Sequence, residues 1–381
     1  MIIGLEQKSE RLTESLTRQE LQRKIAIENR VGLGWLRFTC SVSYLTYWLK
    51  RVTTYFRTTA KSRGKGWNGY LESYGAGMGI MLSFTPHLTQ QQRDEMGVKR
   101  SPNEGYLTVD VPQTALDSLS GLNLYKFLID VAGCDGLKVT RADIYYDDFT
   151  KVISPESLHH QCKQGGVGVP RFENMRGWDE YHLQNGSNQG YTLYFGSNRS
   201  EKQIRFYDKF HESGGKINCY RWEMELKGQY AEKFGEQLVQ RLADSLDCSS
   251  LTASLEHISN YYKELLKGSI AFYDVPPGVR PRDLPRNWAS RSRLCWWWAE
   301  LLAGLEPAKL VLDRVKPTLQ RSVDWITSQV APSLALIRMA YSHWRIPFHH
   351  WLSERIDKGE DRMSDRHYQM MQDALIVSPA T

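Results

Sequence analysis

Three short segments constrain this chain more than anything else in it. They are Val139-Thr-Arg-Ala-Asp-Ile-Tyr-Tyr-Asp147, Gln203-Ile-Arg-Phe-Tyr-Asp-Lys209 and Cys219-Tyr-Arg-Trp-Glu-Met-Glu-Leu-Lys227. Each alternates with a period of two, the pattern of a half-buried strand. One face of the first carries Arg141, Asp143, Tyr145 and Asp147. The matching faces of the others carry Gln203, Arg205, Tyr207 and Lys209, then Arg221, Glu223, Glu225 and Lys227. The opposite faces hold Ala142, Ile144 and Tyr146, then Ile204 and Phe206, then Tyr220, Trp222, Met224 and Leu226. Three strands thus share one design, with an apolar face for a core and a face of acids, bases and tyrosine. The turn Glu212-Ser-Gly-Gly-Lys216 predicts a hairpin between the second and third segments, which brings Tyr207 near Glu223 and Glu225.

The rest of the chain is read around these strands. Leu12, Leu16, Leu21 and Ile25 are spaced as in surface helices, with Thr17 and Glu20 placed for a capping box. A strand over 35–43 and a helix over 44–56 follow, then a glycine-rich hairpin over 67–87 and a strand over 106–112. Helices are expected over 113–132, 155–164, 229–243 and 250–267, and a loop over 167–189 before a strand at 191–195. Beyond the Pro/Arg-rich stretch 276–286, residues 294–375 read as helical, with turns at Glu306-Pro307, Val330–Pro332 and Ile346-Pro347. The expected fold class is α+β: a mainly antiparallel sheet core with flanking helices and a helical C-terminal region. The expected divisions are an N-terminal helical arm (1–30), a central domain (31–269), and an Arg-rich linker with the helical C-terminal region (270–381).

Composition narrows the function classes. With 41% hydrophobic residues over 381 positions the chain can bury a real core, and its net charge of +6 favours a polyanionic partner weakly. Six scattered cysteines without a Cys-x-x-Cys pair read as reduced thiols, not a zinc site or a disulfide framework. Acids appear too early for a signal peptide, and the most apolar stretch, 295–305, is short and broken by Glu300. A soluble, cytoplasmic protein with no membrane association is expected.

Charge is unevenly placed. Residues 29–71 contain no Asp or Glu, but hold Arg30, Arg37, Lys50, Arg51, Arg57, Lys61, Arg63 and Lys65 among many aromatics. Cations neutralise phosphates and aromatic rings stack on unpaired bases, so Arg37, Lys50, Arg51, Arg57, Lys61, Arg63 and Lys65 are candidate DNA contacts, as are Arg280, Arg282 and Arg286 of the linker. The sequence leaves equally open a strand and helix whose aromatics are core and whose cations are solvated.

The mixed face suggests phosphoryl transfer. A tyrosine oxygen can attack a phosphodiester and hold it as an ester. Carboxylates prefer hard cations such as Mg²⁺ or Mn²⁺, and Asp143, Asp147, Glu223 and Glu225 are the candidate metal ligands. Lys209 and Arg205 flank Tyr207 on its own face and are candidate catalytic cations. Tyr145, beside Asp143, is a second hydroxyl. The plain alternative is a polar sheet face held by cross-strand ion pairs. A carboxylate-pair glycosidase fits less well, because the flanking cations favour an anionic substrate.

Thr140-Arg-Ala-Asp-Ile-Tyr-Tyr-Asp-Asp-Phe149, Ile204-Arg-Phe-Tyr-Asp-Lys209 and Tyr220-Arg-Trp-Glu-Met-Glu-Leu226, in that order, resemble the replication initiation factor family of rolling-circle plasmids and filamentous phages. The resemblance spans roughly 100–270 and is specific in combination. It implies an antiparallel nuclease core and a metal-dependent nicking-joining endonuclease. Such an enzyme cuts one strand at an origin through a covalent 5′-phosphotyrosine and leaves a 3′ hydroxyl. It implies Tyr207 as nucleophile, the acids as holders of Mg²⁺ or Mn²⁺, and origin DNA, a host helicase and a polymerase as partners; a homodimer is left open. The other large nickase class carries His-x-His, which none of the ten histidines forms, and no phosphate-binding loop of an ATPase is present. The competing function is a non-catalytic DNA-binding replication or regulatory factor with a degenerate nuclease face.

Overall fold

Alternation places the apolar half of each central strand on one side of a single sheet. The structure is a computed structural model and describes residues 18–97, 103–181, 183, 188–276, 278–279, 283–285, 287–312 and 319–376. The strands are β1 (Arg30–Ser41), β2 (Lys61–Ser62), β3 (Glu72–Gly75), β4 (Met81–Phe84), β5 (Tyr106–Pro112), β6 (Lys138–Asp148), β7 (Val167–Gly168), β8 (Met175–Tyr181), β9 (Asn188–Phe195), β10 (Lys202–Asp208), β11 (Tyr220–Lys227) and β12 (Tyr273–Asp274). Ten of them form one sheet in the order β2-β3-β4-β5-β1-β6-β11-β10-β9-β8, while β7 and β12 pair separately. Neighbouring strands run antiparallel, including the three that carry the mixed face.

Helices cover the apolar face. Ala231, Phe234, Leu238 and Leu242 form one buried stripe of helix Gly228–Ser245 and pack on the sheet. Gly235 allows that helix to sit close, since a Cβ there would lie 2.6 Å from Val139 Cγ2. Helix Leu251–Ser269 packs beside it, its first turn capped by Ser250 accepting from the Ala253 amide. Leu21 and Ile25 of helix Arg18–Glu28 are also buried in this core, so the described part of the N-terminal segment is built into the domain rather than hanging from it. Thr17, the first member of the expected capping box, lies outside the described residues.

Two expectations about extent change. The chain divides into compact units at Met1–Leu312 and Asp313–Thr381, not near residue 270. The reason is aromatic packing. Trp222 of β11 stacks on Phe206 at 3.8 Å between centroids and meets Phe272 at 5.4 Å and Trp298 at 5.1 Å. Residues after the expected linker thereby belong to the sheet's own core. The loop expected at 167–189 contains β7 and the edge strand β8. β8 reads Met-Arg-Gly-Trp-Asp-Glu-Tyr and lacks an apolar face, which is how an edge strand escapes a hydrophobic pattern.

The second unit contains helices Leu319–Trp325, Ala331–His343, Phe348–Glu360 and Asp365–Ile376. The turn expected at Val330–Pro332 is absent. A π-helical turn over Ile326–Val330 runs into the next helix, and Pro332 sits in that helix's first turn, where its missing N–H costs nothing. Tyr341, Trp344, Phe348 and Trp351 cluster around the turn at Pro347. No described helix is long and apolar enough to cross a membrane.

Trp222 is fully buried and joins the sheet to the segment after residue 270. Trp222→Ala is expected to lower unfolding free energy by about 3–5 kcal/mol, read by urea denaturation followed by circular dichroism.

Candidate active site

Cross-strand register turns the linear alternation into a grid. Across β10, β11 and β6, one row is Tyr207, Arg221 and Asp147, and the next is Arg205, Glu223 and Tyr145. A third row is Gln203, Glu225 and Asp143. β1 supplies Gly32 opposite Tyr145. A Cβ at Gly32 would lie 2.5 Å from the Tyr145 hydroxyl oxygen, so glycine there makes room for the ring. Asp143, Asp147, Arg221 and Glu223 are all buried, and charges so placed require partners.

Each acid has one. Arg221 grips Asp147 bidentately, Nε to Oδ1 at 2.6 Å and Nη2 to Oδ2 at 2.8 Å, while its guanidinium lies 3.9 Å over the Tyr145 ring. Burial opposes the Arg221 charge, but the Asp147 bond and charge outweigh it and hold the guanidinium well above its usual range. Arg141 grips Asp143 the same way at 3.0 and 2.7 Å, and reaches Glu225 at 3.3 Å. Burial still raises the Asp143 carboxyl above its usual value despite Arg141. Burial acts upward on Glu225 as well, but the Lys227 hydrogen bond and the charges of Arg141, Lys227 and Arg205 bring it below the usual range.

Arg205 is held differently. Its Nη2 donates to Glu223 Oε1 at 2.8 Å and lies 3.7 Å from Asp143 and 3.8 Å from Glu225. One guanidinium nitrogen therefore faces three carboxylates. The donor chemistry suits a hard divalent cation. As the side chains stand, Arg205 fills that position, and among the described residues no group of three or more His, Cys, Asp or Glu is arranged to hold a metal ion. Asp147, the fourth ligand expected from sequence, points instead into its pair with Arg221.

Tyr207 is nine-tenths buried, and its hydroxyl donates to Glu223 Oε2 at 2.8 Å. Burial raises the phenol far above its usual range; the Glu223 charge adds to this and Arg221 opposes it. A carboxylate able to accept the proton of this tyrosine is therefore within hydrogen-bond reach. Lys209 is not on the strand face. β10 ends at Asp208, whose side chain caps the short helix Lys209–Glu212 by accepting from Phe210 N. The Lys209 ammonium pairs with Glu212 and lies 5.9 Å from the Tyr207 ring centroid. Tyr145 is pushed up to about 12 by burial and packs between β1 and Arg221. Arg141 and Arg221 are the guanidinium groups that sequence reasoning left out of the site, although they share the faces of Asp143 and Glu223.

The basic stretch is split by the fold. Trp48, Phe56 and Phe38 are buried packing residues, and Trp35 lies beneath Arg141 at 4.3 Å. Arg37 pairs with Asp110 at 2.8 Å and Arg51 with Asp130 at 2.9 Å. Lys50, Arg57, Lys61, Arg63 and Lys65 are exposed, the last three on and beside the edge strand β2. Arg280, Arg282 and Arg286 lie outside the described residues.

A model of the replication initiation factor family matches residues 137–356, which spans β6, β10, β11 and their acids. This chain belongs to the replication initiation factor family. It is similar to a putative DNA relaxase, NicK, of Bacillus subtilis (strain 168), with 24% identity over 237 residues. That match covers 62% of this chain and 61% of the relaxase, so the chain spans less than two thirds of that relative's length. Its fold is similar to that of a rolling circle replication initiator protein from Geobacillus stearothermophilus. The TM-score is 0.52 at 17% identity, over 74% of this chain and 98% of that one.

The Arg221–Asp147 pair is almost fully buried. Arg221→Met leaves a lone buried carboxylate and is expected to cost about 3–5 kcal/mol of stability, most of which the double variant Asp147→Leu/Arg221→Met regains. Urea unfolding of the three proteins reads this directly.

Proposed function

We propose that this family member initiates rolling-circle replication by nicking and rejoining one strand of origin DNA. The observation that carries the reading is the Tyr207 hydroxyl bonded to Glu223 inside the cluster formed by Asp143, Glu223, Glu225 and Arg205. In the proposed reaction the Tyr207 oxygen attacks a phosphodiester phosphorus and its proton passes to Glu223 Oε2. The bond to the 3′ oxygen breaks and that oxygen takes up a proton from Glu223 or water, giving a 5′-phosphotyrosine and a 3′ hydroxyl. Rejoining is the reverse attack by a 3′ hydroxyl. Arg205 and Lys209 neutralise phosphate charge, and Arg221 holds the floor of the site in place through Asp147 and Tyr145. Mg²⁺ or Mn²⁺ held by Asp143, Glu223 and Glu225 would supply further charge neutralisation at the phosphate.

The exposed Lys50, Arg57, Lys61, Arg63 and Lys65 are proposed to bind the DNA backbone, adding affinity that weakens with salt. The protein would act in the cytoplasm of a bacterial host and leave the 3′ end to a helicase and polymerase. One observation favours a second reading, a DNA-binding factor that does not cut: every acid of the face already has a cationic partner.

Supercoiled DNA carrying the element's own origin, incubated with Mg²⁺ or Mn²⁺, separates the two. Wild type is expected to give a nick with protein joined to the 5′ end on a denaturing gel, and chelator is expected to abolish it. Tyr207→Phe is expected to lower cleavage on the order of a thousandfold or more with origin binding nearly unchanged. Glu223→Gln is expected to slow it by about a hundredfold or more. Tight binding by wild type without cleavage under either metal would establish the second reading.

A further inference from the structure

The grid around Tyr207 continues outward to the edge of the sheet. Thr192 of β9 pairs with Tyr207, and Trp178 of β8 pairs with Thr192. The next row runs from Arg205 through Tyr194 to Arg176. Directly opposed residues of antiparallel strands put their side chains on one face. Trp178 and Arg176 therefore share the face of Tyr207 and Arg205. Gly177 gives the same answer from the other side. A Cβ there would lie 2.6 Å from His159 Nδ1, so Gly177 faces helix Pro155–Gln164 and its neighbour Trp178 faces away from it.

Stability does not account for Trp178. It is 66% exposed, the most exposed aromatic side chain among the described residues, and it sits on the outermost strand of the sheet. Edge strands are commonly guarded by charge, and a large apolar ring there is a liability. Thr192, a small side chain, separates the indole from Tyr207, so the surface between them is low. The two residues lie two strands apart, about 10 Å at the usual strand spacing. That matches the rise of about three stacked nucleotides. Charge is placed on one side of the indole. Arg176 is exposed two residues before it, with its guanidinium 5.7 Å from the Tyr194 ring centroid, whereas Glu180 is exposed two residues after it. A polyanion would therefore run along the Arg176 side.

We propose that Trp178 is a stacking platform for an unpaired base of the DNA strand whose phosphodiester lies at Tyr207, with Arg176 on that strand's backbone. The proposal rests on the nicking reading for what lies at Tyr207. A base offers its face to an indole only where the duplex is open, and such stacking tolerates any sequence because every base has a π-face. The platform therefore selects unpaired over paired DNA and fixes the strand's approach to Tyr207 without reading its sequence. β8 is the last strand of the sheet, so DNA can reach the indole from outside it.

The test is fluorescence anisotropy with the full-length protein in chelator. The probes are a short labelled oligothymidylate, an abasic strand of the same length, and the oligothymidylate annealed to its complement. Wild type is expected to bind the thymidylate more tightly than the abasic strand, which carries the same phosphates. Trp178→Ala is expected to weaken thymidylate binding about tenfold, within the range of one stacked base, and to leave the abasic strand and the duplex unchanged. Trp178→Phe keeps a ring and is expected to retain most of the affinity. Equal thymidylate binding by Trp178→Ala and wild type overturns the proposal, as does an equal loss on all three DNAs. A wild-type dimer that Trp178→Ala turns into a monomer in analytical ultracentrifugation also overturns it, because the edge is then a self-association face. If Trp178→Ala does not fold by circular dichroism, ultraviolet crosslinking of the thymidylate to wild type decides. Attachment at Trp178 supports the platform, and attachment only at other residues overturns it. Origin nicking by wild type is scored in parallel. Failure to nick removes the catalytic reading, whereas thymidylate binding that depends on Trp178 still supports the platform. Nicking by wild type, with thymidylate binding indifferent to Trp178, removes the platform alone.

Discussion

Four carboxylates on one face of a buried sheet can exist only if their charge is cancelled on the spot. That requirement organises the centre of this protein. β6, β11 and β10 lie side by side, and register sets Asp147 against Arg221, then Tyr145 and Glu223 against Arg205. A slip of one residue in either pairing would turn the acids toward Trp222 and Ile144 and the apolar residues toward the charges. The ion pairs and the hydrophobic core thus specify the same register from opposite sides of the sheet. Apolar burial supplies the stability, and the pairs forbid the alternatives.

The central part of this arrangement was legible in the sequence because a period of two is strict. Once Asp143, Tyr207 and Glu223 fall on matching parities, a hairpin through Gly214 and Gly215 must bring two of them together. Both glycines adopt positive φ, as a turn of that kind demands. The family resemblance rested on the same residues, and the family match over 137–356 includes them. What parity cannot give is distance along a side chain. Asp147 and Asp143 look equivalent on paper, yet one is closed off by Arg221 and the other shares Arg205 with two glutamates. Lys209 has the right parity, but the strand has already ended when it is reached.

Other parts were illegible for reasons of context. β8 lies at an edge, where no apolar face is needed and charged side chains are tolerated. The segment after residue 270 reads as a linker because Pro and Arg dominate 276–286, but Phe272, Trp297 and Trp298 on either side of that stretch are core. The aromatics of 29–71 could have been a stacking platform. Trp48 fills a cluster with Phe38 and Phe127 instead, whereas Trp35, Tyr44, Tyr47, Tyr55 and Trp67 are half-buried and Lys50, Arg57, Lys61, Arg63 and Lys65 are exposed.

Glu223 is where structure and proposed chemistry meet. One of its oxygens accepts from Arg205 and the other from Tyr207, so the charge balance of the face and the protonation of Tyr207 share one carboxylate. Burial and the negative charge of Glu223 together keep the Tyr207 proton in place. A divalent cation held there in the proposed reaction would change both halves at once. It would add positive charge beside Glu223 and so weaken the negative field that holds the phenol neutral. In the proposed reaction the tyrosine then becomes reactive only where metal and phosphate are both present.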